Sequence, residues 1–333
     1  MAMIDLPRNL WYPLFLAREF TARPKRVERF GEHWMICRLG EGSLVMTTDR
    51  CPHLGASLSQ GTVNEGQIQC PFHGFCFDSE GTCTHIPALG KAGKIPRHLK
   101  VRTIPLRDVQ GWIWGWWGDD PHDPETIPAF PEFDHSWRWQ DVASDWSVHV
   151  TRAIENQLDV AHLPFVHRKS IGAGGRSLVE GPYVEADAQS IKVWVTNARD
   201  LGQMPRSLEA LEQRSKGEPP NLEFRFPGLW QLRIHSRLRL LVGFVPVNPG
   251  KTRFYIRACH TIRIPLLGTL YGGILGLSNR WILREDERVV SPIVPSSSLD
   301  AHDDMLIASD RAIVWFRKIW RRRLERDLDG SPQ

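Results

Sequence analysis

Two short loops constrain this chain more than anything else in it. The stretch "CPHLGASLSQGTVNEGQIQCPFHGF", residues 51–75, sets Cys51 and His53 in one loop, then sixteen residues, then Cys70 and His73 in a second. Each pair brings its own proline, and a glycine follows each histidine, Gly55 and Gly74. Two thiolates and two imidazoles in paired loops are a metal-ligand set. Zinc prefers shorter loops at both knuckles and gains nothing from these flanks. A two-iron, two-sulfide cluster uses the whole set, with both cysteines on one iron and both histidines on the other, and neutral imidazole raises the potential of its iron. The glycines permit tight loops whose N–H groups turn toward sulfide.

The surroundings narrow the context. At 333 residues the chain has room for a sizeable core and for two domains. Its net charge of +4 gives no global pull toward nucleic acid. Six cysteines (Cys37, Cys51, Cys70, Cys76, Cys83 and Cys259) are too sparse for a disulfide scaffold of this length, so Cys76 and Cys83 read as packing thiols. The start, "MAMIDLPRNLWYPLF", lacks a basic segment followed by an apolar one, so a reducing cytoplasm is the expected location. The uncharged run "PLLGTLYGGILGL", residues 265–277, is too short to span a bilayer and reads as a buried segment; no transmembrane segment is expected.

Along the chain, residues 32–49 read as two strands around a glycine turn, and "GWIWGWW", 111–117, as the strand closing a small β domain. An acid- and proline-rich linker follows, which puts the first domain at 1–118 and the second at 119–333. "DWSVHVTRAIENQLDVAHLPFVH" reads as a helix, with Leu158, Ala161 and Phe165 at roughly helical spacing. Residues 178–258 alternate as an antiparallel sheet of curled strands, and the polar segment 200–220 reads as a loop. The end, from Asp303 onward, reads as one long amphipathic helix containing Asp303, Asp304 and Asp310, whose "RRR" at 321–323 is a solvated face or a docking site for an acidic redox partner. The fold class is therefore α+β: a small all-β domain carrying cluster loops, and a helix-grip-like domain with a curved antiparallel sheet.

A second ligand set sits in "ENQLDVAHLPFVH". Asp159 and His162 are three apart and would share a helix face, and Pro164 would bend or end that helix and let His167 swing to the same point. Two histidines and one distant carboxylate make a facial triad for non-haem Fe(II), with three positions left open. Alone the spacing is weak, and satisfied core histidines would account for it.

The motif "CPH…CPFHG" resembles the Rieske iron–sulfur domains, and with it the set Asn156, Asp159, His162 and His167 resembles the Asn-x-x-Asp-x-x-His-x4-His motif of Rieske non-haem iron oxygenase alpha subunits. The likeness runs over nearly the whole chain. It implies a Rieske [2Fe-2S] cluster held by Cys51, His53, Cys70 and His73, and mononuclear Fe(II) held by His162 and His167. Ala56 and Phe72 stand where respiratory Rieske proteins have a bracing disulfide, so a lower-potential centre is implied. The carboxylate ligand should come from "WILREDERVVSPI"; the short monooxygenase branch has a similar stretch that maps the ligand to Asp286, with Glu285 as second choice. The resemblance further implies that Asp159 bridges an iron histidine to a cluster histidine of a neighbouring subunit in a homotrimer, and that Asn156 orients the site.

The implied activity is that of a terminal oxygenase, activating dioxygen with electrons relayed from NAD(P)H through a separate ferredoxin or reductase. The short single-subunit branch hydroxylates its substrates or removes O- or N-methyl groups, in reactions that include aromatic hydrocarbon catabolism. Ring cis-dihydroxylation or a steroid-type ring hydroxylation, which "LSQGTV" resembles, is the alternative; an electron-transfer Rieske protein with a degenerate second site, or a membrane-associated desaturase-like enzyme, stands further off. An apolar or aromatic substrate would meet walls from the sheet, with Phe224, Phe226, Leu229, Trp230, Leu232 and Ile234 as candidates. Arg225, Arg233, Arg237 and His235 read as solvated strand residues.

Overall fold

The computed structural model describes residues 4–40, 42–119, 124–134, 136–262 and 265–329, so residues 120–123 of the linker lie outside the described residues. The chain divides into two compact units, Met1–Ile4 with Asn9–Ile127, and Asp5–Arg8 with Pro128–Gln333.

Three small antiparallel sheets build the first unit. In one, the tryptophan-rich strand Trp112–Trp117 lies between Leu10–Leu16 and Leu106–Val109. A second holds Lys25–Arg29, Glu32–Arg38 and Leu44–Thr48; the third runs Thr62–Asn64, Gln67–Gln69, Cys76–Phe77 and Cys83–His85. The Arg29–Glu32 hairpin closes on Phe30 and Gly31, both at positive φ (57° and 75°), as a two-residue turn matching strand twist requires. Phe30 tolerates that conformation because its ring is buried, stacked on Trp117 with centroids 4.4 Å apart. A core including Met35, Cys37, Val45, Leu58, Ile68 and Phe77 lies under the two metal-type loops and takes in Cys51 and Cys70.

The second unit is a seven-stranded antiparallel sheet in the order Arg138–Trp146, Lys251–His260, Leu238–Asn248, Leu229–His235, Leu222–Arg225, Ser190–Ala198, Leu178–Ala186. Register shifts at Glu180/Tyr183, Arg233/His235 and Pro246/Asn248 mark bulges, the device by which a sheet bends. One cross-strand row, Val142, Ile256, Val242, Trp230, Phe224, is buried throughout. Among the described residues, five α-helices accompany the sheet: α1 (Val150–Leu158), α2 (Leu163–Val166), α3 (Leu208–Ser215), α4 (Pro265–Val290) and α5 (Arg311–Asp329). Phe316 of α5 packs on Phe224 and Phe226 with centroids 5.7 and 6.0 Å away.

Several expectations need correction. A strand outside the 178–258 stretch, Arg138–Trp146, joins the sheet upstream of the first helix. The single helix across 145–167 is two: α1 stops at Leu158, and Asp159 is extended (φ −69°, ψ 129°). Asp159 and His162 therefore do not share a helix face. Pro164 sits in the first turn of α2, where its missing N–H costs nothing, so it begins a helix rather than bending one. Within 200–220 there is α3, capped by Ser207 and anchored by the buried Leu211. The last helix begins at Arg311, leaving Asp303, Asp304 and Asp310 ahead of it. The apolar run 265–277 is the first half of α4 and not a buried block: Ile274 and Leu277 are 57% and 68% exposed. Among the described residues, no helix is long and apolar enough to cross a membrane. Of the three consecutive arginines, Arg323 is buried, its guanidinium 5.3 Å from the Phe226 ring centroid.

Candidate metal centres

The two Cys/His loops are built alike. Cys51 N–H donates to Ala56 O (2.8 Å) and Gly55 N–H to Cys51 O (2.9 Å); Cys70 N–H donates to Phe75 O (2.8 Å) and Gly74 N–H to Cys70 O (3.1 Å). Gly55 and Gly74 both take positive φ, 79° and 71°, which lets each loop fold back within five residues. This repetition turns Cys51 and Cys70 inward, both buried, while His53 and His73 stay exposed with ring centroids 4.8 Å apart. His53 is steadied by stacking on Phe75 at 4.7 Å. Burial pushes the Cys51 thiol up to about 11, against the His53 backbone N–H and with the Cys70 thiol as hydrogen-bonding neighbour. A cation binding here would displace that proton, as thiolate ligation requires. Sulfur donors inside and imidazoles at the rim fit a two-iron cluster with one buried and one outward iron. All six cysteines are unbridged; Cys76 and Cys83 are buried and donate to the carbonyls of Gly74 and His85.

In the second unit, His162, His167 and Asp286 each offer a ligand atom within 4.8 Å of the others. His162 caps the start of α2, His167 its end, and Asp286 comes from α4. His167 Nε2 is 2.9 Å and His162 Nε2 3.6 Å from Asp286 Oδ1. These approach the spacing of roughly 3 Å along an octahedral edge with metal–ligand bonds of about 2.1 Å. Despite the short contact, Asp286 Oδ1 is buried without an aligned hydrogen bond. The two histidines and the carboxylate point past one another at a common centre, which suits a small divalent ion.

Each imidazole has a carboxylate behind it, hydrogen-bonded to His167 and in looser contact with His162. Glu285 Oε2 lies 2.9 Å from His167 Nδ1 and accepts a 2.7 Å bond from Ser170 Oγ. Asp159 Oδ2 lies 3.4 Å from His162 Nδ1, and its Oδ1 accepts from Ala161 N–H at 2.7 Å. Burial works against the charge of Asp159, but His162 and the Ala161 backbone outweigh it and hold the carboxyl below its usual range. For His167, burial opposes charge, while Asp286 and Glu285 more than reverse this and raise its pKa. Glu285 is thus the residue that spacing alone does not resolve: next to Asp286, it is second choice as a ligand, yet it sits on the far side of His167.

Other candidates scatter. Asn156 is buried in α1 with its Nδ2 unpartnered among the described residues. Phe224, Phe226, Leu229 and Trp230 are buried, Leu232 is half-buried and Ile234 is 50% exposed. Arg225 and Arg233 are not solvated but paired, with Glu223 (2.8 Å) and Glu132 (3.1 Å); His235 and Arg237 are exposed. Asp304 pairs with Arg152 and Arg317, and Asp310 accepts from Ile307 N–H.

Comparisons with known proteins agree with both centres. Residues 10–105 match the Rieske [2Fe-2S] domain, and residues 146–326 the vanillate O-demethylase oxygenase C-terminal domain. Chlorophyllide a oxygenase, chloroplastic, of Chlamydomonas reinhardtii is 37% identical over 50% of this chain and 25% of its own length. The oxygenase component of dicamba O-demethylase from Stenotrophomonas maltophilia is 30% identical over 55% of this chain and 54% of its own. The matched segments span about a quarter to a half of such curated relatives. A crystal structure of dicamba monooxygenase bound to dicamba shares the fold, with a TM-score of 0.80 at 22% identity over 98% of this chain and all of that one.

Proposed function

This chain belongs to the Rieske non-haem iron oxygenases, with a catalytic domain of the vanillate O-demethylase oxygenase type, and on that premise we propose that it is a terminal oxygenase component that hydroxylates or oxidatively demethylates an apolar or aromatic small molecule. The observation that carries this reading is the convergence of His162, His167 and Asp286 within 4.8 Å in a chain that also holds the paired Cys/His loops.

Cys51, Cys70, His53 and His73 would hold the cluster, and the exposed imidazoles would offer electrons a way in and out. His162, His167 and Asp286 would hold the mononuclear iron, a three-ligand set that leaves room for dioxygen and substrate. When bound, that iron with the cluster's electrons supplies dioxygen activation: one oxygen atom enters a C–H bond, and the other leaves as water with two electrons and two protons from outside. Oxidation of a methyl carbon on oxygen or nitrogen then releases formaldehyde, which is why one chemistry covers hydroxylation and demethylation.

The protein's share is positioning. Glu285 and Asp159 fix the two imidazoles so that Nε2 faces the metal. Asp159, kept ionised, also serves as the bridge to a cluster histidine of the next chain in a homotrimer, and Asn156 orients the same region. Trp230 and Leu232, with the buried sheet row around them, provide apolar walls. Electrons come from NAD(P)H through a reductase, with or without a ferredoxin, in a reducing compartment that suits unbridged cysteines.

The test is EPR of anaerobically purified, dithionite-reduced protein before and after nitric oxide. A rhombic histidine-ligated cluster signal together with a new high-spin iron–nitrosyl signal is the expected result. The cluster signal alone, in iron-replete protein, would make the chain an electron carrier and overturn the oxygenase reading.

A further inference from the structure

Helix α4 buries one narrow stripe: Gly272, Gly276, Asn279, Leu283, Asp286 and Val290, spaced four and three apart in turn. This is the inner face of the helix, and Asp286 on it points at the metal centre. The two glycines draw the helix against the strand Arg138–Trp146. A Cβ on Gly276 would stand 3.3 Å from Val142 Cγ2, and one on Gly272 3.4 Å from Gln140 Cβ. The next residue of the stripe should by the same logic be apolar. It is Asn279, only 6% exposed, and its Nδ2 has no hydrogen-bond partner among the described residues. Burying an amide donor without a partner costs free energy and returns nothing to the fold. Among the described residues one other buried carboxamide has an unpartnered N–H donor, Asn156 on α1, which packs against α4.

We propose that Asn279 orients the substrate, donating a hydrogen bond from Nδ2 to a neutral acceptor oxygen on an otherwise apolar molecule. The inference rests on the oxygenase reading above and narrows its substrate class. Seven residues separate Asn279 from Asp286, roughly 10 Å along the helix axis. The acceptor oxygen and the oxidised carbon therefore lie at opposite ends of a molecule about two fused rings long. The stripe carries no Lys or Arg, so this helix face offers a carboxylate no counter-charge, and a ketone, quinone or lactone oxygen is the fitting acceptor. Because a lone buried donor left unpaired penalises any ligand lacking the acceptor, Asn279 acts as a specificity determinant as well as an anchor.

The probes are 6-methoxy-2-acetylnaphthalene, with a ketone and an O-methyl group at its two ends, and 2-ethyl-6-methoxynaphthalene, which lacks only the ketone oxygen. Binding to the anaerobic, iron-loaded protein is read by equilibrium dialysis, with iron content measured in parallel. The expected result is that the wild type binds the ketone about tenfold more tightly than its deoxo analogue. Asn279→Leu should bind the two alike, with iron content unchanged. Asn279→Ala, which also lacks the donor, should likewise lose the preference and serves if the leucine variant does not fold. A wild type that binds neither probe, or binds both equally, overturns the proposal, as does a preference that survives both substitutions. Wild-type protein that takes up no mononuclear iron would instead sink the oxygenase reading itself.

Discussion

Glu285 Oε2 lies 2.9 Å from Nδ1 of His167, while the adjacent Asp286 sets Oδ1 2.9 Å from Nε2 of the same ring. Consecutive helix residues diverge by about 100°, so two neighbouring carboxylates reach opposite edges of one imidazole. Burial works against the charge of Glu285, but His167, Ser170 and Trp281 hold its carboxyl below the usual range. An ionised Glu285 keeps the proton on Nδ1 and leaves Nε2 as the ligand atom, the arrangement that raises ligand basicity and fixes ring orientation.

Separating the two roles is direct. Glu285→Gln is expected to weaken ferrous iron binding about 10- to 100-fold while leaving the site able to fill at high iron. Asp286→Ala should lose mononuclear iron altogether and keep the cluster absorbance. Anaerobic iron titration of both variants decides: iron kept by Asp286→Ala and abolished in Glu285→Ala would exchange the assignments.

Asp159 stands behind His162 as Glu285 stands behind His167, but at 3.4 Å with no aligned hydrogen bond to Nδ1, and it is 30% exposed where Glu285 is 15%. Exposure is what a bridge to another chain needs. Asp159→Asn should retain both iron centres and slow single-turnover reoxidation of the cluster by roughly 100-fold, since small losses of positioning carry penalties of that size. Unchanged reoxidation in a rapid-quench EPR experiment would leave Asp159 a packing residue.

Two placements were legible because chemistry fixes spacing: Cys51, His53, Cys70 and His73 occupy loops whose geometry repeats, and His162 and His167 converge with Asp286 although the helical reading that joined Asp159 to His162 fails. The route was wrong and the meeting point right, since a five-residue reach can be made through a break as well as through a helix. Periodicity carried Asp159 into α1 because nothing between Glu155 and Pro164 is a strong breaker; the stop is set by tertiary contacts, with Asn197 holding the Val160 carbonyl at 3.0 Å. The helix α3 was hidden by polarity, its single buried anchor Leu211 too little to raise a pattern. Arg323 was read as solvent-facing because its aromatic partner, Phe226, lies 97 positions away in sequence, and no local signal announces such a contact.

Glu155, one turn before Asp159, is buried in a network that ties α1 to α5. Arg317 donates to both of its oxygens (2.6 and 3.1 Å), Arg152 donates to one at 3.1 Å, and Asp304 accepts from both arginines. Arg317→Ala leaves Glu155 and Asp304 with one cation between them, and a loss of about 3–5 kcal/mol is expected in urea unfolding. A combined Arg317→Met, Glu155→Leu protein should recover part of that loss, because paired removal leaves no orphan charge. If the single and the double variant unfold at the same midpoint, the network contributes only shape.

Acid sensitivity should centre on His149, thirteen residues before His162. Its side chain caps α1, accepting from Thr151 N–H, and its Nδ1 lies 2.8 Å from Thr151 Oγ1. Burial drives its pKa down from 6.5 to about 4, with Asp5 and Asp300 opposing only weakly. Above pH 6.5 the ring is neutral in both the folded and unfolded chain, so it adds no pH dependence. As pH falls below that value the unfolded chain takes up a proton that the folded one refuses, and stability declines until folded His149 titrates near 4. The full effect is about 3 kcal/mol. His149→Asn retains a good capping acceptor and removes the titration. Urea midpoints at about pH 7.5 and about pH 5 should fall further apart in the wild type than in the variant. An equal fall in both proteins would show that His149 is not the source of the acid sensitivity, since carboxylates such as Asp145, paired with Arg253 and lowered from 3.8, withdraw stability only at pH values below this pair of measurements.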